Sequence, residues 1–332
     1  MFLTESEAKV TQKTRDPRRS EDKAESDENI AQRAKCAHAM LAAANAMCDH
    51  KGKLWPCGIP DEALAILPCR IAYQMLETAT GVVARKAASA DEALGMIAAT
   101  VNSSTSFLGT IVAALMDLLH SYEHISPLVA ELCSMVNETP VNRLAVELIR
   151  EVGRLDSTAS FSDTGLKASG IKNLAPFIGQ LAQVRPRIVL ANISHLLPHL
   201  NSEPYNIRSS IVTAIGHILV NMGNHNSDEP SQTKPEMSTI DLSKSRNALL
   251  DVLRERVLDT SSYTRSTVLK TWTKIVQTGC LPLERLISVT SFSIDRLQDK
   301  TVIVRRGAMQ VRHEVAKPFW AHSTLTPSCC SW

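Results

Sequence analysis

The sequence predicts an all-α fold, a solenoid of stacked antiparallel helix pairs, on three observations. Apolar residues recur at helical spacing from Ile30 onward, with no strand-like alternation. The composition is 44% hydrophobic but only 4% aromatic, with 13 Gly and 15 Pro in 332 residues. That composition suits aliphatic cores between helices and is too poor in turn residues for an all-β protein. Finally, one short phrase recurs at the helix starts of the second half, and recurrence at a fixed interval is the mark of a repeat array.

Taken in order, residues 1–29 carry charges of both signs and almost no apolar residue, as in Arg15-Asp16-Pro17-Arg18-Arg19. They are read as a disordered tail, because they bury too little to offset ordering entropy. Residues 30–165 read as a helical region of degenerate repeats. An Ala-rich helix over Ile30–Cys48 ends at the break Pro56-Cys57-Gly58-Ile59-Pro60. Asp61 then supplies an N-cap for a helix to about Met75, and further helices are expected over 82–100, 105–120, 126–136 and 140–154. A Ser/Asp/Gly stretch over 156–170 separates the halves.

Residues 166–316 read as the regular array, with helices at 171–184, 187–197, 205–222, 243–258, 262–278, 282–297 and 302–315. A polar loop at 223–241 interrupts it, and 317–332 reads as an irregular Ser/Thr/Pro/Cys tail that departs from the pattern of the array. The longest apolar stretch, Leu108 to Leu119, is broken by Asp117 and falls short of the ~20 residues a membrane helix needs. No membrane segment is expected.

The formal net charge of +2 conceals a split. From Asp241 onward there are 14 Lys/Arg against 8 Asp/Glu, while the first 240 residues are net acidic. A basic final third suits an anionic partner such as nucleic acid, or is only a solvated helix surface. The eight cysteines include no C-x-x-C pair, and the N-terminus has no apolar signal segment, so they read as reduced, buried thiols. His195 and His199 stand four apart, but Pro198 spoils the helix that would align them and no third ligand follows. No phosphate-binding glycine loop or G-x-S-x-G nucleophile elbow occurs. The sequence therefore predicts no enzyme, no cofactor, no metal site and no small-molecule substrate.

The recurring phrase is Asn201-Ser202-Glu203-Pro204-Tyr205-Asn206-Ile207-Arg208, then Asp259-Thr260-Ser261-Ser262-Tyr263-Thr264-Arg265, then Asp299-Lys300-Thr301-Val302-Ile303-Val304-Arg305. An Asp precedes the Arg by six in the last two, and Ser202 holds that position in the first. The Asp is expected to accept hydrogen bonds at the helix start, and the Arg to pair with an Asp of its own or the adjacent repeat. Arg208, Asp259, Arg265, Asp299 and Arg305 thus form a structural ladder. From Arg265 to Arg305 is 40 residues, within the window of ~40–47 for HEAT or armadillo repeats.

Two stretches carry a more specific likeness. One is Ser169-Gly170-Ile171-Lys172-Asn173-Leu174-Ala175-Pro176-Phe177 continuing through the Arg208 turn. The other is Tyr263-Thr264-Arg265-Ser266-Thr267-Val268-Leu269-Lys270-Thr271-Trp272, with Arg296-Leu297-Gln298-Asp299-Lys300 after it. Together, over about 165–311, they resemble the non-SMC HEAT-repeat regulatory subunit 1 family of condensin I. Members of that family are much longer, so the resemblance implies a fragment or a truncated gene product. It further implies a non-catalytic scaffold that binds the kleisin and SMC subunits and chromosomal DNA in mitotic chromosome condensation. Such a protein resides in the nucleus and on chromosomes, and in the cytoplasm for part of the cell cycle. On that reading Lys244, Arg246, Arg254, Arg256, Lys270, Lys274, Arg296, Lys300, Arg306 and Arg312 are the candidates for sequence-independent phosphate contact. An importin- or adaptor-like HEAT/armadillo scaffold that binds peptides without DNA is the competing expectation.

Overall fold

A computed structural model of the chain describes residues 17–56, 60–104, 106–136, 143–155, 165–224 and 239–322. Among the described residues there is no strand, and the helices stack as an all-α solenoid. The first part comprises α1 (Pro17–Asp49), α2 (Lys51–Leu54), α3 (Glu62–Ala65), α4 (Leu67–Glu77), α5 (Val82–Ala87) and α6 (Ala90–Ser103). Next come α7 (Leu108–Ser121), α8 (Ile125–Met135), α9 (Leu144–Gly153), α10 (Gly165–Val184) and α11 (Pro186–Ala191). The array finishes with α12 (Tyr205–Asn224), α13 (Thr239–Arg256), α14 (Ser262–Gln277), α15 (Leu286–Asp295) and α16 (Val302–His322).

The packing alternates along the chain. Helices α6, α8, α10, α12, α14 and α16 each touch the next in one continuous row. Helices α7, α9 and α11 follow one another in a second row, while α13 lies against α12 and α14, and α15 against α16. One apolar cluster runs the length of the stack, from Ala44 to Val315. Each pair is covered by its neighbours and by little else, which is why a solenoid is held together by nearest-neighbour contacts. Within the long row two glycines permit close approach. A Cβ on Gly216 would lie 2.5 Å from the Thr271 methyl, and one on Gly307 would lie 3.1 Å from Leu269 Cβ.

Several element boundaries differ from the sequence expectation, for local reasons. Helix α1 starts at Pro17, well inside the segment expected to be a tail. Its first turns are rich in Arg, Glu, Lys and Ala, good helix formers that extend a helix already nucleated by its packed part. At the other end α16 continues to His322, into the expected irregular tail, because 312–322 carries no glycine and only Pro318 as a breaker. The rest of those two segments, 1–16 and 323–332, and most of the expected loop, 225–238, lie outside the described residues. The helix expected over 82–100 is two helices, divided at Ser89, whose φ of 51° is left-handed. Arg85 reaches across that break, bonding to Asp91 at 2.6 Å and to Glu131 at 2.8 Å. The helix expected over 187–197 is α11, ending at Ala191, followed by 3-10 turns at Ile193–His195 and Leu197–Asn201; Pro198, without an N–H, keeps the second turn from joining an α-helix. Asp61 caps α3, accepting from Ala63 N at 2.9 Å and Leu64 N at 3.3 Å.

The described cysteines are free thiols, but they are not uniformly buried. Cys69 and Cys133 are buried, Cys48 and Cys280 half-buried, and Cys36 exposed on α1. Burial pushes the Cys69 thiol up to about 11, against the opposing hydrogen bonds of Thr100 and Tyr73, so it is protonated and inert at neutral pH. Cys57, Cys329 and Cys330 lie outside the described residues. No helix among the described residues is long and apolar enough to cross a membrane.

Candidate functional site

The turns that lead into α12, α14 and α16 share one construction. In each, the arginine one turn into the helix folds back on its own approach segment. Arg208 Nη1 donates to the carbonyls of Ser202 and Glu203 at 2.6 and 2.7 Å. Arg265 Nη1 does the same to Asp259 and Thr260 at 2.7 and 3.1 Å, and Arg305 Nη1 to Asp299 and Lys300 at 2.8 and 3.1 Å. These carbonyls precede a helix and have no intrahelical partner, so the guanidinium satisfies acceptors that would otherwise be stranded.

The remaining nitrogens reach forward to the next repeat. Arg208 Nε and Nη2 grip both oxygens of Asp259 at 3.0 and 2.9 Å, and Arg265 grips Asp299 at 2.8 and 3.0 Å. The pairing is therefore with the adjacent turn, bidentate, and largely closed to water. Each aspartate also organises its own turn: Asp259 accepts from Ser261 N at 2.8 Å, and Asp299 from Thr301 N at 3.0 Å. Ser202, at the position held elsewhere by aspartate, is buried and bonds to His199 Nδ1 at 3.3 Å, whose Nε2 reaches the Gly153 carbonyl at 3.3 Å. His199 is thus spent on a structural bridge, and no group of metal-ligating side chains occurs among the described residues.

Burial alone would raise the Asp299 carboxyl. The Arg265 guanidinium and the Thr301 hydrogen bonds override it and hold the group well below the usual carboxylate range. The sign of the linkage follows. Stability from this site is fully present above the unfolded carboxylate value of about 3.9 and is lost as pH falls below it towards the depressed folded value. We expect Asp299→Asn to lower the denaturation midpoint at pH 7 but to narrow its gap to wild type between about pH 4 and pH 2. Urea titrations across that range provide the check, and a constant gap would contradict the assignment.

The ten basic candidates do not share one surface. Lys270 and Lys274 are exposed on α14, and Arg306 and Arg312 on α16. Lys244 and Arg254 are exposed on α13, Arg246 is half-buried there, and Lys300 is exposed on the last turn. Two are engaged inside the stack. Arg256 donates to the Leu200 carbonyl at 2.9 Å and to Asn201 Oδ1 at 3.2 Å, and Arg296 Nη1 lies 3.6 Å from Asp299 Oδ2. Lys274 Nζ sits 3.4 Å from His217 Nδ1, and burial followed by that cation lowers the imidazole pKa.

Sequence reasoning missed two features. Arg185 ties α10 to the end of α8 by donating to the carbonyls of Cys133, Ser134 and Val136 at 3.2, 2.7 and 3.3 Å. Its only signal is an arginine just before Pro186, outside the repeated phrase. Tyr205 and Tyr263, from adjacent repeats, stack at the surface with centroids 5.1 Å apart. Both stand beside the phrase's arginine, which offered a hint.

No protein-family model matches the chain. Full-length relatives do. Condensin complex subunit 1 of Xenopus laevis is 31% identical over 261 residues, 78% of this chain and 18% of that protein. The chain is homologous to condensin complex subunit 1. The Arabidopsis thaliana condensin-1 complex subunit CAP-D2 is 30% identical over 72% of this chain, and the human subunit 27% over 78%. The match extends well beyond the phrases around 165–311 and so takes in part of the first half, where no likeness was legible. The chain spans less than a fifth of the length of these relatives.

Proposed function

We propose that the chain is a non-catalytic scaffold segment of a condensin complex. It contributes to the binding of kleisin and SMC subunits and of chromosomal DNA during mitotic chromosome condensation. Its place is the nucleus and chromosomes, with a cytoplasmic phase in the cell cycle. The observation that carries this reading is the homology to condensin complex subunit 1 over most of the chain. The stacked architecture supports it, because turns clamped to one another present a long continuous surface of the kind scaffolds use.

The DNA part of the proposal rests on the exposed cations. Lys270 and Lys274 stand one turn apart on α14, and Arg306 is exposed on the neighbouring α16, so their charges can follow a phosphate backbone without reading bases. Arg256, bonded to the Leu200 carbonyl, and Arg296, 3.6 Å from the Asp299 carboxylate, are less available for this role. The expected result is duplex binding that weakens linearly in log–log form as salt rises. Lys270→Glu combined with Lys274→Glu should lower the slope by roughly 2, at about 0.9 per phosphate contact. No binding at low salt, or a slope unchanged by the substitutions, would remove DNA contact from the proposal. Affinity purification of a tagged full-length relative carrying this segment tests the complex, and recovery without kleisin and SMC subunits would remove the assignment itself.

A further inference from the structure

Helix α14 lies inside the array, packed by α12, α13 and α16, yet one strip of it is open. Tyr263, Thr267, Lys270 and Lys274 recur at steps of four, three and four residues, which places them on a single helix face. Tyr263 is 60% exposed, and the two lysines are exposed as well. The Tyr263 ring stacks on that of Tyr205 from α12, itself 40% exposed, with 24° between their planes. Two large rings held together at the surface form a flat aromatic platform. Charge along this row is one-sided. Helices α10, α12 and α14 contain no Asp or Glu, whereas α13 and α15 carry Asp251, Glu255 and Asp295. The acids before α12 and α15, Glu203 and Glu284, stand in connecting turns, and Asp259 and Asp299 are spent in the ladder.

From this juxtaposition we propose that the seam of α12 and α14 binds an unpaired nucleic-acid strand, with a base stacked against Tyr263 and phosphates on Lys270 and Lys274. The inference deepens the DNA contact proposed above and rests on it. What it adds is the state of the strand. In a duplex the bases are already stacked on one another, so a duplex can meet the lysines but offers the rings no base. An unpaired base has a free face, and an aromatic side chain accepts it whatever its identity. The spacing fits such a strand. At 1.5 Å per residue the two cations lie about 10 and 16 Å along the helix from Tyr263, a span of a few nucleotides. A peptide strand is a poorer occupant, because its backbone needs hydrogen-bonding partners. The hydroxyls beside the platform are spent on their own helices, Thr267 donating to the Tyr263 carbonyl at 3.0 Å and Thr213 to that of Ser209 at 2.9 Å.

The test compares a short labelled oligo-dT with a duplex of the same length, each titrated with the whole chain at several salt concentrations. Tyr263→Ala should weaken oligo-dT binding by roughly five- to a hundred-fold and leave duplex affinity within about twofold of wild type. Unchanged duplex affinity in that variant also shows that it is folded. Tyr263→Phe, which keeps the ring, should bind oligo-dT as wild type does. Lys270→Glu combined with Lys274→Glu should weaken both probes, lowering the oligo-dT salt slope by roughly 1.4, at about 0.7 per phosphate contact. Oligo-dT affinity indifferent to Tyr263→Ala overturns the proposal. If duplex binding still answers to the lysine pair in that case, the DNA contact itself survives. Equal losses on both probes, at unchanged helical circular dichroism, overturn it too, because the ring then does not distinguish the strand's state. Binding of neither probe at low salt removes this inference together with the DNA contact. If a Glu/Tyr copolymer binds with a dependence on Tyr263 that oligo-dT lacks, the strip belongs to an acidic peptide and the proposal fails.

Discussion

Arg208→Ala should be among the most destabilising single substitutions in the chain, costing about 3–5 kcal/mol. The loss has two parts. Asp259 is left as a buried carboxylate with its turn N–H as the remaining strong donor, and the carbonyls of Ser202 and Glu203 lose the group that satisfied them. Arg208→Lys should recover only a fraction, because a single ammonium cannot reach two carbonyls and fork a carboxylate at once. The pair replaced together by Arg208→Met and Asp259→Leu should regain much of the loss, since no uncompensated charge is then buried. Because this rung joins α12 to the α13–α14 pair, the single alanine variant should also broaden the urea transition or split it in two. Equilibrium unfolding of the three variants checks all of this. A single sharp transition with a shift under 1 kcal/mol would mean the bridge does not couple the repeats.

The rung shows where sequence reading succeeds and stops. An aspartate six residues before an arginine is legible because one turn of chain and one turn of helix set that interval. Which aspartate the arginine takes is a property of the stack, and it became visible only when Asp259 was seen against Arg208, 51 residues away. Where the second half meets the first, the same job is done by a residue outside the shared phrase. Arg185 holds the end of α8 through backbone carbonyls, which any sequence provides, so nothing in the residue types marks the partner. The break at Ser89 was equally hidden. Lys86-Ala87-Ala88-Ser89-Ala90 favours helix, and the backbone turns there under the packing of α5 and α6, with Arg85 fastened to Glu131. The basic candidates were legible as a composition but not as a surface. Arg256 and Arg296 look no different in sequence from Lys270, and only their internal bonds separate them.

Trp272 tests the same stacking through its apolar side. It is among the largest fully buried side chains, and it faces the next pair, with its ring tilted against Phe292 at 5.3 Å between centroids. Trp272→Ala should cost about 3–5 kcal/mol, the usual range for removing a buried aromatic when the site collapses only in part. The indole Nε1, however, is buried with no acceptor among the described residues, an arrangement that carries a desolvation penalty of about 1–3 kcal/mol. Trp272→Phe deletes that penalty along with part of the ring, so the two effects oppose. The phenylalanine variant should therefore fall within about 1 kcal/mol of wild type, far less than its lost volume suggests. If instead it is destabilised as much as the alanine variant, the indole nitrogen must have a partner in solution. In that case Trp272 is held by a specific bond between repeats, and not by shape alone.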